Sequence, residues 1–403
     1  MKIIQDKKSF FMGMTTSFLV CSFVGLVIAV GVFVWMQSDS MALMKAAEGS
    51  FTKEEITKLI AYKQKLKVMY YEDLTDEQIM EGMLDGMMES TGDPYTCYYS
   101  AEELAEITSD MEGTFFGIGA YLQADFTVGY AKITGVMKNS PALESGLEEN
   151  DYIIRVDDED MYEKDLNYIV SKVRGPSGTV VKLTVNRAGE ELDIEVTRRE
   201  ITVESVSYEL KEEGIAYIQI TEFNDNTSPQ FTEALAQMES DGAKGLVIDL
   251  RGNPGGNLSA VVAVCNQILP EGKIVYTEDK YGKGNEYLSE GKTPFDKPLV
   301  VLVDGGSASA AEIMAGAIKD YGIGELVGTT TFGKGIVQNV FTYPDGSGGK
   351  LTVSKYFTPN GTDIHKIGVE PDVEVAFDAQ AYQEDQTDNQ LNKALEILRD
   401  QIN

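Results

Sequence analysis

Residues 246–256 read LVIDLRGNPGG, and this stretch decides the fold. Its first five residues are apolar apart from Asp249, which is typical of a buried strand, and the glycines and proline that follow end it. The neighbouring segments alternate in kind, with a strand over 215–220, a helix over 227–239 and a second helix over 257–268. Such alternation predicts an α/β core over roughly 201–375.

A serine follows the next strand-like segment, which covers residues 299–303. Ser309 precedes a helical run over 310–319, so its hydroxyl is expected at a helix N-terminus, where free N–H groups stabilise a developing oxyanion. Ser309 and Glu312 also have the spacing of a capping box. A serine that only caps its helix is the commoner case, so this pattern alone leaves both interpretations open.

His365 is the only histidine in 403 residues, so a hydrolase of the Ser-His-Asp type has one place to find its base. This favours a lysine partner, since burial can lower a lysine pKa from about 10.4 towards 7–8. Lys334 lies in a Gly-Lys-Gly turn before a β-rich stretch over 336–341, and regular alternation would place Gln338 on the same side as Lys334. A lysine in a turn is ordinarily only solvated, so the spacing does not require catalysis.

Four motifs together resemble one family: GDPYT over 92–96, LVIDLRGNPGG over 246–256, SASAAEI over 307–313 and TFGKGIVQ over 331–338. The chain is similar, over nearly everything after its first 40 residues, to the carboxy-terminal processing proteases, which are serine peptidases with an inserted PDZ domain. The resemblance implies a ClpP/crotonase-like core with Ser309 as nucleophile, Lys334 as general base and Gln338 as the residue that positions the lysine. Ala311 stands where members commonly have a second serine.

The glycine loop is the expected site of oxyanion donors. The Ala310 N–H is the first candidate, and Gly255 or Gly256 supplies the second, because glycine lets the backbone approach a ligand closely. A tight turn that is merely glycine-rich is the more frequent fate of Pro-Gly-Gly, and the family resemblance favours the donor role without choosing the glycine.

Residues 113–200 resemble a PDZ domain, which adds a peptide as a strand and binds its terminal carboxylate through backbone N–H groups. The expected carboxylate loop comprises Phe116, Gly117, Ile118 and Gly119. Ser-Pro-Ala at 140–142 predicts a short helix, and an unrelated small β-rich domain is the alternative. Arg174 follows the predicted PDZ helix and is expected to bind a carboxylate, to link the domain to the protease core, or only to be solvated.

The net charge of the chain bears on whether it binds nucleic acid. The formal net charge is −31, with 65 acidic and 34 basic residues, which argues against nucleic-acid binding. No cofactor or metal is expected, because a single histidine leaves no zinc-type cluster.

Residues 10–36 are free of charge, lysines precede them and Asp39 follows. This predicts one transmembrane helix in a bacterial cell membrane with the catalytic part outside; a cleaved signal peptide is the competing interpretation.

The expected domains are a cytoplasmic tail and anchor over 1–39, helices over 40–112, a PDZ domain over 113–200 and a peptidase core over 201–403 that ends in a helix. Thr52 and Glu55 predict a capping box at the start of a helical region that reaches residue 89. In the family that the chain resembles, such helices support dimer contacts, so a homodimer is expected. Cys97 and Cys265 are candidates for a disulfide, although two such cysteines are more often not neighbours.

The sequence therefore predicts a membrane-anchored, extracytoplasmic serine endopeptidase that engages proteins or peptides with free C-termini. Two alternative functions remain open. A crotonase-like acyl-CoA enzyme also uses glycine N–H donors, and a catalytically inactive PDZ scaffold would bind without turnover.

Overall fold

A computed structural model describes residues 50–402 of the chain. It divides the chain into two compact units, the first ending at Leu84 and the second beginning at Asp85. The predicted anchor over 10–36 lies outside the described residues. Within residues 50–402, no helix combines the length and the apolar character needed to cross a membrane.

The helices are α1 (Lys53–Met69), α2 (Asp76–Glu89), α3 (Ala101–Glu112), α4 (Pro141–Glu144), α5 (Leu166–Val173), α6 (Thr227–Ser240), α7 (Leu258–Cys265), α8 (Ala310–Tyr321), α9 (Ala379–Asp385) and α10 (Asn389–Ile402). The strands are β1 (Cys97–Tyr99), β2 (Thr114–Gly117), β3 (Ala120–Asp125), β4 (Tyr130–Val136), β5 (Tyr152–Val156), β6 (Glu159–Asp160), β7 (Val180–Arg187), β8 (Glu190–Thr197), β9 (Arg199–Thr202), β10 (Val206–Lys211), β11 (Ile215–Ile220), β12 (Gly245–Asp249), β13 (Gly272–Asp279), β14 (Glu286–Ser289), β15 (Leu299–Val303), β16 (Glu325–Gly328), β17 (Ile336–Thr342), β18 (Gly348–Phe357) and β19 (Val373–Glu374).

The first unit contains α1 and most of α2. The predicted capping box at α1 is confirmed, since the Glu55 N–H donates to the Thr52 hydroxyl at 3.2 Å and the Glu55 carboxylate accepts from the Thr52 N–H at 2.7 Å. The predicted helical region is interrupted over residues 70–75, so it forms two helices rather than one. No residue of α1 is buried, which leaves its apolar side chains in solvent.

An antiparallel sheet with the strand order β3-β4-β5-β7-β8 occupies the segment that resembles a PDZ domain. Ser140 caps α4 by accepting a hydrogen bond from the Leu143 N–H at 3.2 Å, and Gly146 follows that helix with φ +84°, as the sequence predicts. β3 is the edge strand of this sheet and α5 packs beside it. Strands β2 and β9 enter and leave the segment as an antiparallel pair, so it is inserted between α3 and β10.

The larger core is a sheet with the order β10-β11-β12-β15-β16-β19, in which only β10 runs antiparallel. Its central strands β12 and β15 are buried along their whole length, and their successive side chains point to opposite faces of the sheet. Ile248 and Val301 join the cluster that contains α6, α7 and α8, whereas Val247 and Val300 join the cluster that contains α10. This explains why the predicted strands read as continuous apolar runs.

The carboxyl ends of the parallel strands meet at one edge of this sheet, where ligands bind in open α/β folds. The glycine loop follows β12, Ser309 follows β15, and Lys334 follows β16. A further sheet, β1-β18-β13-β14 with β17 paired to β18, continues from the segment that carries Lys334.

Candidate active site

Ser309 is the N-cap residue of α8 and has φ +53° and ψ −112°. A non-glycine residue with such a positive φ is strained by about 1–3 kcal/mol and persists only where its surroundings enforce it. Two bonds do so here, because the Ser309 N–H donates to Glu312 Oε2 at 2.9 Å and its carbonyl accepts from the Tyr356 hydroxyl at 2.8 Å. The serine is thereby fixed at a strand-to-helix turn.

Glu312 is fully buried and joins the serine segment to the lysine segment. Besides the Ser309 N–H, its carboxylate accepts hydrogen bonds from the Thr331 hydroxyl at 2.6 Å, the Gly333 N–H at 2.7 Å and the Lys334 N–H at 2.8 Å. The sequence predicts Glu312 only as a capping partner. The spacing of residues in the sequence gives no indication of the hydrogen bonds between Glu312 and residues 331–334.

Tyr356 makes a second link between the same two segments. Its hydroxyl lies 2.8 Å from the Ser309 carbonyl and 2.5 Å from the Lys334 carbonyl. Burial raises the pKa of Tyr356 well above its ordinary value, so the hydroxyl stays protonated and its single hydrogen is shared between these two carbonyls. Sequence reasoning missed this residue, because it lies 47 residues from Ser309 in the sequence.

Lys334 is half-buried behind this arrangement. Burial and then repulsion from Lys350 hold the pKa of Lys334 below its ordinary value, against the attraction of Asp93 and Glu312. Its Nζ lies 4.4 Å from the centroid of the Tyr95 ring. Across residues 50–402 no hydrogen bond joins Lys334 to the Ser309 hydroxyl, although their main chains are tied together.

The glycine loop packs directly against Ser309. Gly255 and Gly256 have φ of +102° and +136°, and a Cβ added to Gly255 would meet the Ser309 Cβ at 2.7 Å. A Cβ on Gly256 would meet the Phe223 carbonyl oxygen at 2.1 Å. Only glycine fits at either position, because both the conformation and the space exclude a side chain.

The two glycines differ in what their N–H groups bind. The Gly255 N–H donates to Asn253 Oδ1 at 2.8 Å, whereas the Gly256 N–H has no acceptor within the described part of the chain. The Ala310 N–H is likewise without an acceptor there. Asn253 is fully buried, and its own carbonyl accepts from the Ala308 N–H at 2.9 Å, which attaches the loop to the serine segment.

Gln338 lies beyond a β-bulge at Val337/Gln338, so the regular alternation assumed from the sequence is broken. Its side-chain amide donates to the Ile336 carbonyl and to Thr352 Oγ1, both at 3.4 Å, and within residues 50–402 it has no hydrogen bond to Lys334. The role given to Gln338 stays a prediction.

A cavity of about 610 Å³ opens at Ser309. Its wall combines Ser309, Ala310, Gly256 and Gln338 with apolar side chains from α3, α7, α8 and β17, whereas Lys334 does not line it. These residues include Met111, Gly256, Leu258, Ser309, Ala310, Ile313, Ile336, Gln338, Val340 and Tyr356. A polypeptide bound there would contact the serine and the glycine loop together.

The expected carboxylate loop lies between β2 and β3. The N–H groups of Ile118 and Gly119 have no main-chain acceptor in the described region, and the Phe116 side chain is 45% exposed. Arg174 lies with its guanidinium 5.4 Å from the centroid of the Phe115 ring. It forms no salt bridge within residues 50–402, and its role stays a prediction.

Two other residues considered from the sequence have different surroundings. The Ser307 hydroxyl is fully buried and donates to the Leu250 carbonyl at 2.8 Å, which gives this second serine a structural bond. The His365 side chain is half-buried, and its Nδ1 has no hydrogen-bond partner among the described residues. Cys97 and Cys265 are free thiols, so the possible disulfide is absent from residues 50–402.

Comparison with known proteins assigns the family. A model of peptidase family S41 matches residues 214–375, a PDZ domain model matches 132–187, and a model of the activating protease CtpB N-terminal domain matches 23–103. The chain is 38% identical over 347 residues to the carboxy-terminal processing protease CtpA of Bacillus subtilis, a match that covers 86% of this chain and 73% of the relative. It is also 38% identical over 312 residues to CtpB of the same organism, covering 76% and 65% of the two chains.

A solved S41 protease structure from Bacteroides fragilis, 18% identical, has a TM-score of 0.54 and covers 82% of this chain and 93% of that one, which supports the fold. The chain belongs to the carboxy-terminal processing protease family and is a serine peptidase of family S41 with a PDZ domain. The predicted family, enzyme class and mixed α/β multi-domain fold are thereby confirmed. The predicted domain boundaries and site residues stay predictions.

Proposed function

We propose that this peptidase cleaves protein substrates by acyl-enzyme chemistry, with Ser309 as the nucleophile and Lys334 as the general base. One observation carries the proposal: Glu312 and Tyr356 each bind the main chains of both residues. Two independent sets of hydrogen bonds therefore join the same pair of segments. They fix the main-chain positions from which the Ser309 and Lys334 side chains extend. Catalysis by a nucleophile and a base requires such fixed proximity.

The reaction begins when neutral Lys334 takes the proton of the Ser309 hydroxyl as its oxygen attacks the scissile carbonyl carbon. The carbonyl π electrons move to the oxygen, which becomes an oxyanion. When the tetrahedral intermediate collapses, the C–N bond breaks and the Lys334 ammonium gives its proton to the leaving amine. A water molecule then attacks the acyl-enzyme carbonyl carbon while Lys334 takes its proton. The C–O bond to Ser309 breaks, the Lys334 ammonium returns the proton to the serine oxygen, and the carboxylic acid product leaves.

We assign the oxyanion hole to the N–H groups of Ala310 and Gly256. Both lack an acceptor in the described residues, whereas the Gly255 N–H is already bound to Asn253. Donors that are fixed before the reaction stabilise the developing charge without reorganisation. Gly255 serves instead to let the loop approach Ser309.

Lys334 reaches Ser309 by a side-chain movement away from Tyr95. Catalytic hydrogen bonds are often absent before substrate binds, so the missing bond does not count against the pair. Gln338 shares the wall of the cavity at Ser309 and is proposed to orient the lysine once it has moved.

The test is a set of four variants of the full chain, assayed with an unfolded protein substrate and with a fluorophosphonate probe that labels activated serines. Ser309→Ala and Lys334→Ala are expected to lower turnover by about 10⁴-fold or more. Ser307→Ala and His365→Ala are the controls and should retain most of the activity. Loss of activity in a correctly folded His365→Ala protein would replace the lysine mechanism with a histidine one.

The PDZ domain is proposed to bind free C-termini of substrates. Three features support this: β3 is an open sheet edge, α5 lies beside it, and the N–H groups of Ile118 and Gly119 lack main-chain acceptors within residues 50–402. A peptide strand added at β3 would bring its carboxylate to this loop.

A homodimer is proposed through α1. Leu59, Ile60 and Tyr62 are 39%, 52% and 61% exposed on a helix with no buried residue, so this face is available to a second copy. Ile60→Glu is expected to convert a dimer into a monomer in light scattering, with the exposed Lys58→Glu as the control for added charge. A wild-type chain that is monomeric at micromolar concentration would contradict the proposal.

Membrane attachment with the catalytic part outside is proposed from the sequence of residues 1–39 alone, in which lysines precede an uncharged stretch and Asp39 follows it. Protease added to intact cells should then digest the chain beyond Asp39. Protection of that region until the cells are lysed would contradict this orientation.

A further inference from the structure

The motif GDPYT over 92–96 has no part in the proposed chemistry, yet the structure places it at the catalytic lysine. The Tyr95 ring lies against the Lys334 side chain, with Nζ 4.4 Å from the ring centroid. At this distance the negative face of the ring attracts the ammonium, and the attraction is strongest where water is excluded. Tyr95 is the only aromatic residue with this contact to Lys334 among residues 50–402.

The tyrosine is held in place by the turn that precedes it. The Asp93 carboxylate accepts from the Tyr95 N–H at 3.0 Å and from the Thr96 hydroxyl at 2.8 Å. The Thr96 hydroxyl in turn accepts from the Thr352 N–H on β18 at 3.1 Å, and β1 then pairs with the same strand. Because β18 also pairs with β17, the turn and the lysine segment are attached to one sheet.

We propose that Tyr95 is a positioning residue for Lys334: its ring binds the ammonium in the resting enzyme and thereby sets the pH above which Lys334 acts as the base. The inference rests on the proposed role of Lys334. In the resting enzyme Lys334 is then charged and bound to the Tyr95 ring. It must lose both its proton and its contact with the ring before it reaches Ser309.

Among residues 50–402, four groups face the Lys334 ammonium, and they do not act in the same direction. Lys350 on β18 repels the charged form, whereas Asp93 and Glu312 attract it. Burial disfavours a charged Asp93, but hydrogen bonds from Thr352 and from the 95–96 segment outweigh it and hold the pKa of Asp93 below its ordinary value. The Tyr95 face adds to the attraction, so removing its π electrons while keeping its bulk should favour loss of the proton.

The experiment measures the rate at which the purified full chain reacts with a fluorophosphonate, as a function of pH, since this isolates activation of the serine from substrate binding. The rate is expected to rise with pH as Lys334 becomes neutral. In Tyr95→Leu the midpoint of this rise should move to lower pH by about half a unit or more, which makes the variant about threefold faster below the midpoint. Tyr95→Phe keeps the ring face and should keep the midpoint.

Lys334→Ala, assayed in parallel, separates a failure of the role given to Tyr95 from a failure of the role given to Lys334. If it is unreactive while Tyr95→Leu has the wild-type midpoint, the inference about Tyr95 is overturned and the Ser–Lys assignment stands. A midpoint that moves to higher pH in Tyr95→Leu also overturns it, because exclusion of water by the ring would then outweigh the attraction. A Lys334→Ala protein that reacts at the wild-type rate overturns both.

A second series keeps the test decisive if Tyr95→Leu does not fold. Phenylalanine with one, two or three ring fluorines at position 95 keeps the ring shape and weakens the negative face step by step. The midpoint should fall with each added fluorine. A midpoint that is constant across the series would overturn the role given to the ring.

Discussion

Two glycine loops in this protein are both expected to bind a negatively charged oxygen through backbone N–H groups, yet they are packed differently. In the loop over 253–256 both glycines lie against main chain, because a Cβ on Gly255 would meet the Ala308 oxygen at 2.7 Å and one on Gly256 the Phe223 oxygen at 2.1 Å. The loop over 116–119 is more open, since a Cβ on Gly117 would find its nearest neighbour at 3.4 Å and one on Gly119 would meet side chains only, with the Ser140 Cβ at 2.5 Å.

The difference matches what each loop is proposed to do. A transition-state charge exists only briefly, so its donors must be oriented in advance and cannot move towards it. A peptide terminus binds with its whole strand, and an open loop beside a free sheet edge admits it. Confinement by main-chain atoms, more than glycine content, therefore separates the proposed catalytic anion site from the proposed recognition site in this chain.

The largest difference between the two loops is expected from Gly256→Ala. The added Cβ must push the loop away from Phe223 and so misplace the Gly256 N–H, and loss of one oxyanion donor lowers kcat by about 100-fold or more. Steady-state turnover of an unfolded protein measures the effect. Affinity for a C-terminal peptide should be unchanged, since the other loop is not touched.

Gly305→Ala is the matched control, because it lies just before Ser309 and an added Cβ would have no neighbour within 4 Å. It should keep wild-type turnover. If Gly256→Ala were equally active while folded, the confinement of this loop would have no catalytic meaning and the oxyanion assignment would be wrong.

The sequence predicted the elements that carry this site more completely than the contacts within it. Strands 215–220 and 299–303 match the predicted spans, because a parallel strand buried on both faces leaves a run of apolar residues. The helix after Ser309 begins at Ala310, as its spacing indicates. These features depend on local periodicity, which a single sequence records.

What the sequence analysis did not recover were the bonds that decide the roles of residues. Asn253 engages the Gly255 N–H through a side chain, a local turn that Pro-Gly-Gly alone does not reveal but that Asn two residues before Gly255 allows. Tyr356 meets Ser309 across 47 residues of sequence, and the bulge before Gln338 breaks the regular alternation that its predicted position assumed. These last two features depend on tertiary packing, for which spacing gives no signal.

The next largest effect concerns the open loop. Amidating the C-terminus of a peptide should weaken its binding about tenfold or more, because the amide carries no charge for the N–H groups of Ile118 and Gly119. Calorimetry with matched acid and amide peptides on the full-length Ser309→Ala chain measures this without cleavage. Gly119→Ala should reduce the difference, since φ is +77° there and the new Cβ would lie 2.5 Å from the Ser140 Cβ. Equal affinities for the two peptides would mean that this loop recognises something other than the terminus.

The smallest effect tests whether the open loop also uses a side-chain charge. The Arg174 Cγ lies 3.8 Å from the ideal Cβ position of Gly117, and its guanidinium has no salt bridge within residues 50–402. Because this charge is only half-buried, Arg174→Gln should weaken binding of the acid peptide only about two- to fivefold at low salt, and the loss should disappear in about 1 M salt, where charges are screened beyond about 3 Å. The amide peptide, which lacks the carboxylate, should bind both proteins alike. A salt-independent loss for both peptides would instead assign Arg174 a packing role against Phe115, and the open loop would then depend on backbone groups alone, as the confined loop is proposed to do.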